Sequence, residues 1–338
     1  MRFLALLLAA AVTLPGQTKY FEEDLQLSRP YREANYKQFD RYLATVEHDA
    51  ARLRFQTLIG YPSPGFYPKA QVPRIEKIGE DMVGTYHRIW IEVAPGVETY
   101  GLYIVPKNVK LPAPLVISLH GGGGIPEGAL FHGGTNYHDQ IRGAVEHGYV
   151  VWAPLFVMQP GADRKFDTQV PAEIRKNLDG KLRAAGTSLM AMESTKITRA
   201  LDRVLERPEV NPARVAMIGL SYGGYYTLYI AAVEPRIKVA IASCSFRDTP
   251  AVPNGVTEGR PTDLTSPDQV ALLSPRPLQI QAGINDTQAP IDTVRLTVPK
   301  AKRAYEAAGK PELFDYREFD GGHEWRGDIA WSFLAKHL

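Results

Sequence analysis

The sequence predicts an α/β fold: a mostly parallel central sheet with helices on both faces, a leading antiparallel hairpin and a helical N-terminal extension. Three observations carry that expectation. Short apolar runs alternate with helix-patterned stretches from Pro114 to the C-terminus, as strands joined by helical crossovers do. One run, 114–119, is apolar almost throughout, as a strand covered on both faces must be. Two alternating runs flank Pro95-Gly96, the pattern of a hairpin.

Each element follows in order. Tyr36, Phe39, Leu43, Val46, Ala50 and Leu53 recur at helical spacing, so residues 17–84 read as a helical extension packed on the main domain. Prolines and glycines after Ile59 end that helix. Residues 86–93 and 99–105 are the hairpin strands, and 114–119 is the buried strand. Residues 137–147 form a helix closed by Gly148, and 149–156 a strand. Residues 157–185 read as an irregular, charged insertion. Residues 187–207 carry an amphipathic stripe of Met190, Ile197, Leu201 and Val204, stopped by Pro208. An apolar, β-branched strand (Val215 to Ile218) stops at Gly219, and a helical run (225–233) follows. Strands at 237–244, 278–282 and 313–319 alternate with a second irregular insertion (245–273) and helices at 293–308 and 327–337. Residues 85–338 therefore read as one domain with two insertions.

Composition narrows the function. The 338 residues carry 39 basic and 37 acidic side chains, a net charge of +2, which gives no footprint for nucleic acid or an anionic membrane. Arg2, an apolar stretch (3–12) and the Pro15-Gly16 break read as a secretory signal peptide, about residues 1–16. The stretch is too short to remain as a membrane anchor. The expectation is an exported protein, secreted or periplasmic. Cys244 is the only cysteine, so no intrachain disulfide can form. It reads as a small buried residue.

The chemistry centres on Gly219-Leu-Ser221-Tyr-Gly223. Between a strand and a helix this pattern is a nucleophile elbow, with Ser221 at the apex. A glycine-rich turn with an incidental serine would read the same, so the partners decide. A serine hydroxyl needs a histidine to take its proton and a carboxylate to orient that histidine. His323 follows the last strand in Asp320-Gly-Gly-His, and Asp286 follows the strand before it. The order Ser221, Asp286, His323 fits a hydrolase triad. Asp248, one strand earlier, is the rival acid. The oxyanion hole calls for the N–H of Tyr222 and one from the run Gly121–Gly124, Gly122 or Gly123. No ligand spacing supports a metal, and no Gly-x-Gly-x-x-Gly or P-loop supports a nucleotide cofactor. Trp152, Phe156, Trp325 and Tyr222 are candidate apolar or sugar-stacking surfaces, against the commoner role of each as a core residue.

These residues carry a family resemblance. His120-Gly-Gly-Gly-Gly, Thr198-Arg-Ala-Leu-Asp-Arg-Val-Leu-Glu-Arg-Pro-Glu-Val-Asn, Gly219-Leu-Ser-Tyr-Gly-Gly, Asp286 and Gly322-His323 resemble the α/β-hydrolase superfamily, in its acetyl xylan esterase-like and dienelactone hydrolase-like branch. The likeness runs from about Thr85 to the C-terminus. The elbow differs from the Gly-Cys-Ser-Arg-x-Gly of glucuronoyl esterases and from the cysteine nucleophile of dienelactone hydrolases proper. It also looks like that of prolyl oligopeptidase-type peptidases, but no stretch is long enough to be their propeller. The resemblance implies an α/β-hydrolase fold and a serine esterase acting through an acyl-enzyme on short acyl esters of plant polysaccharide, without a cofactor. The rival readings are a peptidase of short peptides and a non-catalytic hydrolase-fold binding protein.

Overall fold

The computed structural model describes residues 48–133, 135–156, 172–246 and 266–338, together with Ala34. Residues 1–16, read as a signal peptide, and nearly all of the stretch before residue 48 expected to be helical lie outside the described residues. The chain divides into two compact units, Met1–Val46 and Glu47–Leu338, and all that follows concerns the second.

The strands of that unit are β1 (Arg74–Glu80), β2 (Gly84–Ala94), β3 (Val97–Pro106), β4 (Ala113–Leu119), β5 (Val150–Pro154), β6 (Val210–Leu220), β7 (Val239–Ser243), β8 (Leu278–Gly283) and β9 (Phe314–Phe319). Among the described residues they form one nine-stranded sheet in the order β1-β2-β3-β5-β4-β6-β7-β8-β9. Pairing is antiparallel from β1 to β5 and parallel from β5 through β9. The helices are α1 (His48–Ile59), α2 (Arg142–Glu146), α3 (Ala172–Ala184), α4 (Leu189–Val204), α5 (Tyr222–Val233), α6 (Ser266–Leu273), α7 (Ile291–Ala307) and α8 (Gly327–His337). The expected mostly parallel α/β sheet with a leading hairpin is therefore what the chain forms.

The apolar pattern explains the layers. Every residue of β4 is buried. Strand geometry sends alternate side chains to opposite faces. Leu115, Ile117 and Leu119 accordingly join one core with Met217, Tyr226 and Ile230, while Val116 joins the other with Ile218, Trp331 and Leu334. Such double burial is available only to strands flanked on both sides, and β5, β7 and β8 share it.

Three stretches differ from the sequence reading. Residues 74–80 fall in the stretch read as helical extension, yet form the edge strand β1. Its Arg-Ile-Glu-Lys-Ile-Gly-Glu pattern is largely exposed, because an edge strand has one neighbour and keeps charges outward. Residues 172–184 and 266–273, read as irregular, are α3 and α6. The first is rich in Ala, Glu, Lys, Leu and Arg, strong helix formers, and the second opens on Ser-Pro, a helix-start signal. The helix expected at 137–147 shortens to α2, with residues 136–140 turned instead.

Helix α1 lies at the far end of α5 from Ser221. The Arg52 Nε and Gln56 Nε2 groups donate to the carbonyls of Ala232 and Val233 at 3.0 and 3.3 Å. They satisfy the last-turn carbonyls that a helix cannot use internally.

Strand order positions the site. β4 has β5 on one side and β6 on the other. The chain thus reverses its direction across the sheet beside β4. Ligands of open α/β sheets bind at such a switch, beyond the carboxyl ends of the strands. The loops after β4 and β6 are the glycine run and the elbow.

Candidate active site

Ser221 is the single residue between β6 and α5, and its backbone lies at φ 58° and ψ −118°. A non-glycine residue in that region costs on the order of 1–3 kcal/mol and persists only where its surroundings enforce it. Here the Ser221 N–H donates to the Ser243 carbonyl at 2.8 Å, and the Tyr225 N–H donates to the Ser221 carbonyl at 2.9 Å. The flanking glycines are steric necessities. A Cβ on Gly223 would land on the Leu119 carbonyl oxygen and 2.7 Å from that of His120, and one on Gly219 would lie 2.7 Å from the Gly224 nitrogen. The pattern Gly-x-Ser-x-Gly is thus what lets β6, the turn and α5 occupy one space.

Asp286 and His323 follow β8 and β9 on the same edge. The Asn285 N–H donates to the Gly321 carbonyl at 2.9 Å and the Ile284 N–H to that of Phe319 at 3.0 Å, so the two loops run together. Asp286 is 4% exposed. Its Oδ1 accepts the N–H groups of Gln288 and Ala289 at 2.7 and 3.0 Å, and its Oδ2 lies 2.8 Å from His323 Nδ1. Burial alone would raise this carboxyl. The His323 ring N–H and the two backbone donors outweigh it and hold the carboxyl below the usual range. An ionised Asp286 can only accept, so Nδ1 carries a proton, and in the neutral ring the lone pair falls to Nε2. Nε2 is buried and has no partner among the described residues. Asp248 lies outside the described residues.

The glycine run follows β4. The ring of His120, 1% exposed, has its Nε2 3.3 Å from the Phe156 N–H and its Nδ1 2.8 Å from the Gly121 carbonyl. A backbone N–H can only donate, which fixes the proton on Nδ1. Burial drives this histidine down to about 4, so the ring is neutral. Gly123 has φ 78°, a conformation that favours glycine. Neither Gly122 nor Gly123 offers its N–H to a backbone acceptor among the described residues. The Tyr222 N–H belongs to the first turn of α5, where no helical carbonyl can take it.

Beneath the run, Lys196 and Glu193 form a buried ion pair at 2.7 Å. The ammonium also donates to the Leu155 carbonyl at 2.6 Å, next to the residue that holds His120.

Three groups were not legible as site residues. The Tyr137 hydroxyl accepts the Gly121 N–H at 2.7 Å, and the Asn136 side chain donates to the His323 carbonyl at 2.9 Å. Neither belongs to a motif. Cys244, buried as expected, lies at φ 52°. Its Sγ is within 4.8 Å of the polar atoms of Asp286 and His323 and faces the Glu324 carbonyl at 3.4 Å. Burial and then the Asp286 charge push its thiol up to about 12. A cation at this group would have to displace the His323–Asp286 bond. Trp152, Phe156 and Trp325 are buried, at 0%, 1% and 0% exposure. They belong to the core, the commoner of the two roles open to them, and are not sugar-stacking surfaces; Tyr222 is the partly exposed one of the four.

Fold and site edge together define an α/β hydrolase. The model of the acetyl xylan esterase (AXE1) family matches residues 73–248, just over half of the 338 residues. The chain belongs to that family, and thus among carboxylic-ester hydrolases. The match takes in Ser221 and the glycine run and stops short of Asp286 and His323. YtaP of Bacillus subtilis (strain 168) is 24% identical over 269 residues, 74% of this chain and 85% of the relative. Two solved structures share the fold. Acetyl Xylan Esterase 1 from Thermoanaerobacterium sp. JW/SL YS485 is 20% identical with a TM-score of 0.58, covering 86% of this chain and 93% of its own. A glucuronoyl esterase from Solibacter usitatus is 16% identical with a TM-score of 0.61, covering 86% and 92%.

Proposed function

We propose that the chain is an exported serine esterase that removes short acyl groups from plant polysaccharide. Ser221 attacks the ester carbonyl, His323 Nε2 takes its proton and returns it to the leaving alcohol, and Asp286 holds the resulting imidazolium. The N–H groups of Tyr222 and of Gly122 or Gly123 receive the developing oxyanion, each contributing about 3 kcal/mol to the barrier reduction. Water then cleaves the acyl-enzyme.

The observation that carries this reading is the His323–Asp286 bond of 2.8 Å with a buried, unpartnered Nε2, on the strand edge where Ser221 has its strained backbone. Family membership supports the ester substrate and the acyl class. The apolar segment after Arg2 supports export. No helix among the described residues is long and apolar enough to cross a membrane.

Ser221→Ala should lower hydrolysis of a short-chain chromogenic ester by several orders of magnitude, on the scale of roughly 10⁶-fold for a triad serine. Retained turnover would remove the serine from the mechanism. A panel of acetyl-xylan, feruloyl, glucuronoyl and alkyl esters then tests the acyl class: preference for any ester over acetyl-xylan overturns that part alone.

A further inference from the structure

The proposed triad and oxyanion hole leave one turn unused: Asn136-Tyr137-His138 touches both the glycine run and the loop that carries His323. Toward the glycine run, the Tyr137 hydroxyl accepts the Gly121 N–H at 2.7 Å. The tyrosine is 7% exposed. A Cβ on Gly121 would come 3.1 Å from that hydroxyl, and one on Gly124 would collide with it, so two of the four glycines answer to this tyrosine.

Toward the histidine loop the same turn is held twice by one residue. Asn136 Nδ2 donates to the His323 carbonyl at 2.9 Å, and the Trp325 N–H donates to the Asn136 carbonyl at 2.9 Å. His138 Nε2 lies 2.9 Å from Glu324 Oε2. The His138 backbone is at φ 48°, a strained position that these contacts enforce. Behind the turn, the Asp139 carboxylate accepts the Trp331 indole N–H at 2.6 Å and the Asp139 carbonyl accepts the Gly143 N–H at 2.6 Å. The turn is therefore anchored to α2 and α8 as well as to both loops.

The consequence for the oxyanion follows from peptide geometry. The Gly121 carbonyl and the Gly122 N–H belong to one planar unit and point in opposite directions. His120 holds that carbonyl and Tyr137 holds the N–H on the other side of Gly121. With both fixed, the direction of the Gly122 N–H is fixed too. The histidine loop is held through the carbonyl of His323 itself, the residue whose ring must meet the serine.

We infer that Asn136 and Tyr137 are positioning residues, a strap that locks the oxyanion loop to the histidine loop so that the two halves of the site keep one mutual geometry. This rests on the serine-esterase reading above. The strap binds no substrate. It acts on turnover rather than on ground-state affinity, because a misplaced donor or base weakens the transition state first.

The test compares Tyr137→Phe, Asn136→Ala and the double variant in the full chain, with Ser221→Ala alongside. Each single change should lower kcat on a short-chain chromogenic ester about tenfold, with KM within about twofold, since small displacements of reacting groups cost rate steeply. Titration with a fluorophosphonate should report the wild-type fraction of active sites. Both side chains act through the same turn, so weakening it from either side should be coupled, and the double variant should fall within about threefold of the weaker single one, the non-additivity of coupled residues. Unchanged kcat in both single variants overturns the inference. So do losses that multiply to about a hundredfold, or losses that vanish after normalising to titrated sites. Should Tyr137→Phe fail to fold, Asn136→Ala decides alone, because its side chain lies at the surface. An active Ser221→Ala would instead break the esterase reading.

Discussion

The two glycine-bearing loops of the site are held by opposite kinds of group. The loop after β4 is braced by neutral ones, the His120 ring and the Tyr137 hydroxyl, and burial keeps both uncharged: the histidine is pushed down to about 4 and the tyrosine up to about 12. The loop after β9 is braced by a charge, the Asp286 carboxylate against His323. Each brace suits what the loop is proposed to do. A loop that offers N–H groups to a growing negative charge cannot tolerate a formal negative charge beside it. A histidine that becomes cationic needs one.

The largest expected effect falls on the charged side. Asp286→Asn keeps the shape and removes the charge, and kcat should drop about 10³- to 10⁴-fold, as for other triad acids. Steady-state kinetics on a chromogenic ester settle it, and a near-normal rate would pass the role to Asp248. A smaller effect separates the loops sterically. Gly124→Ala puts a methyl onto the Tyr137 hydroxyl and should lower kcat about ten- to a hundredfold by shifting the oxyanion loop. Gly322→Ala meets nothing within 4 Å and should stay near wild type; equal losses in both would erase the contrast.

The smallest effect is in stability against pH. His120 is neutral in the fold down to about 4, whereas an unfolded histidine protonates near 6.5. The unfolded chain therefore binds the extra proton between those values, and stability is full above about 6.5 and declines toward 4, by a few kcal/mol at most. Asp286 is held below the ordinary carboxylate range, so its contribution is present above about 3.9 and is lost only as pH falls further. Thermal midpoints of the wild type and of His120→Gln, measured from pH 7 to 4, should diverge at the high end and converge at the low end. Parallel curves would mean that the His120 ring contributes no such dependence.

Legibility in the sequence follows burial and locality. β4, β6, β7 and β8 declare themselves because strands covered on both faces need unbroken apolar runs. The Ser221 turn declares itself because the close approach of β6 and α5 leaves room only for glycine. Asp286 and His323 are readable from their place after strands, and the pairing of their side chains is seen only in three dimensions. β1 is hidden because an exposed edge strand keeps the charges of a loop. Asn136 and Tyr137 are hidden for a different reason. Their partners are backbone groups of Gly121, His323 and Trp325, and a backbone partner imposes no side-chain pattern on the residue it meets. The same contacts explain why the helical signal at 137–147 yields only α2: tertiary hydrogen bonds claim the first turn.

Cys244 carries one more consequence. Its thiol is buried 4% exposed beside the Asp286 charge and pushed up to about 12. Alkylation and oxidation act on the thiolate, and at neutral pH almost none is present. The chain's single sulfhydryl is therefore held in its unreactive thiol form although it adjoins the His323–Asp286 pair. Under the proposed mechanism, thiol-directed reagents should label this position slowly, and covalent inactivation falls to reagents that seek the Ser221 hydroxyl.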